Sequence, residues 1–190
     1  CAYASKRGCN LERNNASYLI EVSGQNLQTL FNELDKICSY VKSGEITREH
    51  INSLATKTLQ AKIFDISKFI IQGNSDLAYN GIFALLYQKE EAKSILSAIA
   101  SYYVDMYRVK CAKEAGKVPA DVAQHYNYGN RDWILSKAAA DSSKISLNSL
   151  REALDILANA DFQIKSNAAQ PDIILEEAVA KLLMLRNKYE

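Results

Sequence analysis

The chain has 190 residues, 48% of them hydrophobic and 24% charged, a balance that supports one large folded core or two smaller ones. Lys and Arg number 23 against 22 Asp and Glu, so the formal charge of +1 excludes a global field that would hold a nucleic acid or an anionic membrane; any such contact has to be local. No apolar run approaches the roughly 20 residues of a membrane span, and the stretch from Cys1 to Gly8 lacks the apolar core of a signal peptide.

The chain starts without Met in what reads as the end of a helix, so it is expected to be part of a longer protein. Gly8 and Gly24 bracket the first helical stretch. From Asn26 to Tyr40, Leu27, Leu30, Phe31, Leu34, Ile37 and Cys38 recur at spacings of 3 and 4 and form one helix face. A short helix begins at Thr47, after Gly44. The segment Thr56–Lys62 is the best candidate boundary, because it separates that short helix from a strongly apolar one containing Phe64, Ile66, Phe69, Ile70 and Ile71. Gly73 ends the apolar helix, and Gly81 alone falls inside a helical pattern.

From Glu90 to Ala115 the helix face is Ala92, Ile95, Leu96, Ile99, Tyr103 and Met106. Beyond Gly116, Pro119 stands at a first helical position, where its missing N–H costs nothing, and Gly129 separates a short helix from the next. Leu147, Leu150, Leu154 and Leu157 mark another helix. The last starts at Pro171 and carries Leu175, Ala178, Val179, Leu182 and Leu183. Acidic residues lead these helices (Glu90, Glu91, Asp172, Glu176, Glu177) and basic ones trail (Lys110, Lys113, Arg186, Lys188), as the helix dipole favours. No useful length alternates with period 2. The class is all-α, with a small N-terminal bundle over 1–61 and a larger one over 62–190, and no internal repeat.

Catalytic patterns are missing. The glycines are isolated helix stops rather than a G-x-x-x-x-G-K-[ST] or G-x-G-x-x-G phosphate loop, and neither G-x-S-x-G nor H-E-x-x-H occurs. His50 at a helix start and His125 on a short helix read as capping or surface histidines. The cysteines Cys1, Cys9, Cys38 and Cys111 are scattered, without a C-x-x-C pair, so they read as free thiols rather than zinc ligands. No metal or cofactor is expected.

Three binding signals stand out. Residues 117–140, with Arg131 near the start of the second helix, are compatible with a helix-turn-helix; yet Val122, Trp133, Ile134 and Leu135 read better as core than as a base-reading surface. This DNA-binding regulator is the alternative reading. A basic stripe flanked by tyrosines (Tyr102, Tyr103, Tyr107, Arg108, Lys110, Lys113, Lys117) offers a weak DNA contact. Gln60-Ala61-Lys62-Ile63-Phe64 looks like a short clamp-docking peptide, but Ile63 and Phe64 lead into an apolar helix at core spacing.

One stretch is more specific. Gly24-Gln25-Asn26-Leu27-Gln28-Thr29-Leu30-Phe31-Asn32-Glu33-Leu34-Asp35-Lys36 resembles the G-x-D-L-x-x-L-x-N-E-L-x-K signature of delta subunits of the bacterial DNA polymerase III clamp loader, with Asn26 where Asp is usual. Ile46-Thr47-Arg48-Glu49-His50-Ile51 is similar to the family's I-T-x-E-x-I segment. Phe64-Asp65-Ile66, Phe69-Ile70 and Asp76-Leu77-Ala78 continue the resemblance, as do Asp161 and Lys165 further on; Phe69 stands where Ala is common.

The resemblance implies an AAA+-type three-helix lid over about 1–61 and a helical collar over about 62–190, with the family's ATPase-like domain lying upstream. It implies a part in DNA replication in the cytoplasm, at the nucleoid-associated replisome, within the DNA polymerase III holoenzyme, a nucleotidyltransferase, although this piece carries no catalytic site. The implied partners are the sibling gamma/tau and delta prime subunits through the collar, the sliding clamp only through the upstream domain, and primed DNA at most indirectly. Within the signature, Gly24 is expected to stop one helix and Asn26 to cap the next. Leu27, Leu30 and Leu34 are expected to face the core, with Glu33 and Lys36 pairing on the other face. Asn32 completes the motif. Asp161 and Lys165, one helical turn apart, are expected to pair at the surface. Collar contacts are expected on the helices at 90–115 and 171–187.

Overall fold

A computed structural model describes residues 1–129, 133–166 and 170–187, and the chain divides into two compact units, Cys1–Lys62 and Ile63–Glu190. The first unit runs through α1 (Ala2–Lys6), β1 (Cys9–Asn10), α2 (Arg13–Ser23), α3 (Leu27–Val41), β2 (Gly44–Glu45) and α4 (Arg48–Leu54). The two short strands pair in parallel, Cys9 opposite Gly44 and Asn10 opposite Glu45, and so tie the start of the chain to the α3–α4 connection. At two residues each they are too short to leave an alternating pattern in the sequence. Ala4, Cys9, Leu11, Leu19, Leu34, Ile37, Cys38, Ile46 and Ile51 make the core.

Local chemistry sets the helix ends of this unit. Gly24 takes φ +85°, a left-handed value that glycine adopts without a Cβ penalty, and its N–H closes α2 on the Ile20 carbonyl. Asn26 Oδ1 accepts the Thr29 amide at 3.0 Å and caps α3. Thr47 and His50 form a reciprocal cap on α4: the His50 amide donates to Thr47 Oγ1, and the Thr47 amide donates to His50 Nδ1.

Two expectations for α3 need correction. Leu27 is 69% exposed and Phe31 lies at the edge of the core, its ring centroid 4.5 Å from that of Tyr3. Leu27 is the first helical residue, and the core covers α3 fully only from Glu33 onward, with Leu30 half-buried. The spacing gave the right face, but the face extends past the core that fills it. Glu33 is also buried rather than on an outer face.

α5 (Leu59–Ile71) starts in the first unit, and its remainder belongs to the second. The second unit continues with α6 (Ser75–Tyr87), α7 (Ala92–Glu114), a 3-10 turn at Pro119–Asp121, α8 (Val122–His125), α9 (Trp133–Ser142), α10 (Leu147–Ser166) and α11 (Pro171–Asn187). α7 is its spine. It packs against α9 and α10, and α10 packs in turn against α11. Ala92, Ile95, Leu96, Ile99, Tyr102, Tyr103, Met106 and Val109 of α7 are all buried, which leaves little of its apolar face for a partner. Gly81 lets α6 lie close to α5, because a Cβ there would stand 2.6 Å from Ile66 Cγ1. No helix among the described residues is long and apolar enough to cross a membrane.

Candidate functional site

In the first unit two of the signature residues, Glu33 and Lys36, form a polar latch with Thr56. The buried Glu33 carboxylate accepts the Thr56 amide at 2.9 Å and pairs with Lys36 Nζ at 2.6 Å. Burial by itself raises the Glu33 pKa; the hydrogen bonds from Lys36 and Thr56 outweigh it, and the carboxyl sits below its ordinary range. Lys36 Nζ also reaches Thr56 Oγ1 at 3.2 Å. The latch therefore fastens α3 to the segment between α4 and α5. Asn32 is exposed and accepts from Gln28 Nε2 at 3.0 Å, away from the latch.

The second unit distributes its basic residues differently from the expected stripe. Tyr102 and Tyr103 are buried, so neither can stack on a base. Arg108 lies 3.5 Å from Asp105 Oδ1, donates to the Tyr128 hydroxyl at 3.2 Å and stacks over the Tyr126 ring at 3.8 Å. Tyr128 in turn donates to Asp105 at 2.5 Å. Lys110 Nζ donates to the Ser142 carbonyl at 3.1 Å. Only Lys113 and Lys117 of the four cations face solvent, because the fold uses the other two to brace α7. Arg131 lies outside the described residues.

Among the described residues nothing supports the helix-turn-helix alternative. Val122, Ile134 and Leu135 are buried, and Trp133 stands edge-on to Phe64 at 5.7 Å. Ile63 and Phe64 are buried as well, which removes the clamp-docking peptide. Asp161 and Lys165 form an ion pair at 2.5 Å on the exposed side of α10. Among the described residues no group of three or more His, Cys, Asp or Glu is placed to hold a metal ion, and Cys1, Cys9, Cys38 and Cys111 are free thiols. Burial, followed by the hydrogen bond and charge of Cys9, pushes the Cys38 thiol up to about 11.

In the second unit the exposed large apolar residues include Leu77, Phe83 and Tyr87 of α6 and Ile173 and Met184 of α11. Tyr79, Phe83 and Tyr87 follow one another at i, i+4 and i+8, so they line one face of α6. The Tyr79 and Phe83 rings stack at 5.9 Å, and Phe83 and Tyr87 are 48% and 88% exposed. The Tyr79 hydroxyl donates to the Glu176 carbonyl at 3.3 Å and so joins this stripe to α11. Ile173 and Met184 of α11 are exposed too, beside the Glu177–Lys181 ion pair. Large rings, Met and a charged rim are the composition that protein interfaces favour. Sequence reasoning expected contacts on the helices at 90–115 and 171–187 and did not single out the exposed rings of α6. The signal was the 79/83/87 spacing, laid beside core positions Ala78, Ile82 and Leu85.

The described residues thus form two almost wholly helical units, one latched through Glu33 and the other carrying exposed rings on α6. The family described as DNA polymerase III delta subunit, C-terminal domain, matches residues 60–182, and the chain belongs to that family. It is 23% identical over 175 residues to DNA polymerase III subunit delta of Bacillus subtilis (strain 168), an alignment covering 91% of this chain and 50% of the relative. The solved structure of the Bacillus subtilis DNA clamp loader delta protein shares its fold, with a TM-score of 0.79 at 21% identity, over 96% of this chain and 54% of that one. The chain thus spans about half the length of the curated relative it matches.

Proposed function

We propose that this chain is the lid-and-collar part of a replicative clamp-loader delta subunit, with the unit Cys1–Lys62 as the lid and Ile63–Glu190 as the collar. The collar assembles with sibling subunits of the gamma/tau and delta prime type and so supports loading of a sliding clamp onto primed DNA. The clamp itself is met by a domain outside this chain, and primed DNA is contacted at most indirectly. The observation that supports the assembly role is the α6 face of half-buried Tyr79 and exposed Phe83 and Tyr87, with Ile173 and Met184 exposed on α11, on a chain of the delta C-terminal family. Such rings gain most by leaving water against a partner.

Native mass spectrometry of the full chain with purified gamma/tau and delta prime subunits tests this. A complex is expected, and the double variant Phe83→Asp/Tyr87→Asp should weaken it by at least about tenfold while leaving the chain's circular dichroism unchanged. No complex with the unaltered chain would remove the assembly reading. A complex indifferent to the double variant would remove α6 as its surface.

A further inference from the structure

The surface formed by α6 and α11 carries charge as well as rings. The two helices pack against each other, and the hydrogen bond from the Tyr79 hydroxyl to the Glu176 carbonyl ties them. Asp76, Asn80, Phe83 and Tyr87 are all exposed and follow at i, i+4, i+7 and i+11, so the ring stripe runs into a carboxylate at the start of α6. On α11, Asp172 and Glu176 are one turn apart and share a flank. Burial, and then the charge of Glu176, raise the Tyr79 pKa, in keeping with a carboxylate beside the aromatic face.

Asp76, Asp172 and Glu176 have no ion-pair partner among the described residues, whereas Glu177, also on α11, is neutralised by Lys181 at 2.7 Å. Asp76 and Asp172 lie in the first turns of their helices, where the dipole favours a carboxylate. Glu176 lies beyond the first turn, where that reason has faded. The cations near Asp172 do not cancel this charge: Lys165 is paired with Asp161, and Lys89 and Lys93 are matched by Glu90 and Glu91. The face is therefore apolar with an acidic rim.

Rings alone would suit many occupants, and the carboxylates select among them. They repel the phosphates of a nucleic acid and the headgroups of an anionic membrane. A second copy of the chain in a two-fold contact would set the same carboxylates against each other, which opposes self-association through this face. A protein segment with lysine or arginine beside an apolar stripe meets both halves of the surface. From Tyr79 to Tyr87 the α6 stripe is about 12 Å long, so two to three turns of a partner helix would cover it.

We infer that the α6–α11 face takes a basic amphipathic helix of a sibling subunit, whose apolar stripe covers Phe83 and Tyr87 and whose lysines or arginines meet Asp76, Asp172 and Glu176. The inference rests on the assembly reading and adds the chemistry of the partner segment. Rim charges of this kind act mainly on the rate of association and on its salt dependence, and the apolar contact supplies most of the affinity.

Biolayer interferometry of the full chain against purified gamma/tau and delta prime subunits, at about 50 mM and about 500 mM NaCl, tests this. The affinity of the unaltered chain is expected to fall by at least about fivefold across that range. The triple variant Asp76→Asn/Asp172→Asn/Glu176→Gln should bind about fivefold more weakly than the unaltered chain at the lower salt and equally at the higher. A triple variant that binds as tightly as the unaltered chain at low salt, or more tightly, would overturn the inference and leave the assembly reading standing. No complex with the unaltered chain would remove both. Sedimentation of the chain alone should show a monomer; a dimer abolished by Phe83→Asp would assign the face to a second copy and overturn the inference.

Discussion

Replacing Glu33 by Gln isolates the charge of the latch in the first unit. The amide keeps the shape of the carboxylate, so no cavity forms. A hydrogen bond to a charged group is worth about 1.5–3 kcal/mol and a neutral one about 0.5–1.5, so weakening the Thr56 bond should cost about 1 kcal/mol. Lys36 is 43% exposed, and water screens its pairing with Glu33, which adds at most about 1 kcal/mol. The expected loss is about 1–2 kcal/mol at neutral pH. In a unit of this size that corresponds to a fall in melting temperature of roughly 5–10 °C, if the unit melts as its own transition. The loss should depend on pH in a definite direction. The folded-state pKa of Glu33 is depressed below the ordinary value of 4.5, so its contribution is fully present above that value and disappears as pH falls through the folded pKa. Urea unfolding followed by circular dichroism should therefore separate Glu33→Gln from the unaltered chain at pH 7 and narrow that difference progressively as the pH falls below 4.5. A gap that stays constant across this range would refute a role for the charge, and no gap at pH 7 would refute the latch itself.

Gly81 and Asp105 test the second unit. Gly81→Ala gains about 1 kcal/mol of helix propensity, but its methyl would crowd the buried Ile66, and overpacking costs about 1–3 kcal/mol. A net destabilisation of about 1 kcal/mol is expected, reversing to stabilisation when Gly81→Ala is made in an Ile66→Ala background; equal effects in both backgrounds would show that the close approach is not the cause. Asp105→Ala strips the acceptor from Tyr128 and the counter-charge from Arg108 and should cost about 2 kcal/mol in chemical denaturation, against about 1 kcal/mol for Tyr128→Phe. An Asp105→Ala chain as stable as the original would mean the cluster contributes nothing.

The all-helical class was legible because burial in this chain follows the helical period closely. Ala92, Ile95, Leu96, Ile99, Tyr103 and Met106 could be placed on one face from spacing alone, and all are buried. The caps at Asn26 and Thr47 were legible too, since a cap is decided within about four residues. What escaped the sequence depends on partners distant along the chain. Glu33 has the look of a surface helix carboxylate until Thr56, 23 residues later, brings its amide to it. Leu27 has the spacing of a core residue, but spacing says nothing about how far along a helix the core extends.

The tyrosines carry this argument furthest. Tyr102, Tyr103 and Tyr107 are close together on α7, and the sequence offers them as one aromatic set beside a basic stripe. Their fates differ because each meets a different neighbour. Tyr102 donates to Asp141 of α9, Tyr103 is buried within the second unit, and Tyr107 accepts from Arg151 of α10 at 3.2 Å. A tyrosine has an apolar ring and a polar tip, so composition leaves open whether it will close a core, line a site or face a partner. The same spacing rule that buries Ile82 and Leu85 on one side of α6 puts Phe83 and Tyr87 on the other, where no element of the described chain covers them. Periodicity identifies the covered face of a helix, and a partner surface is found by asking what occupies the opposite face. On α6 the answer is aromatic, and on α7 it is polar, with Lys93, Ser94, Ser97 and Ser101 exposed.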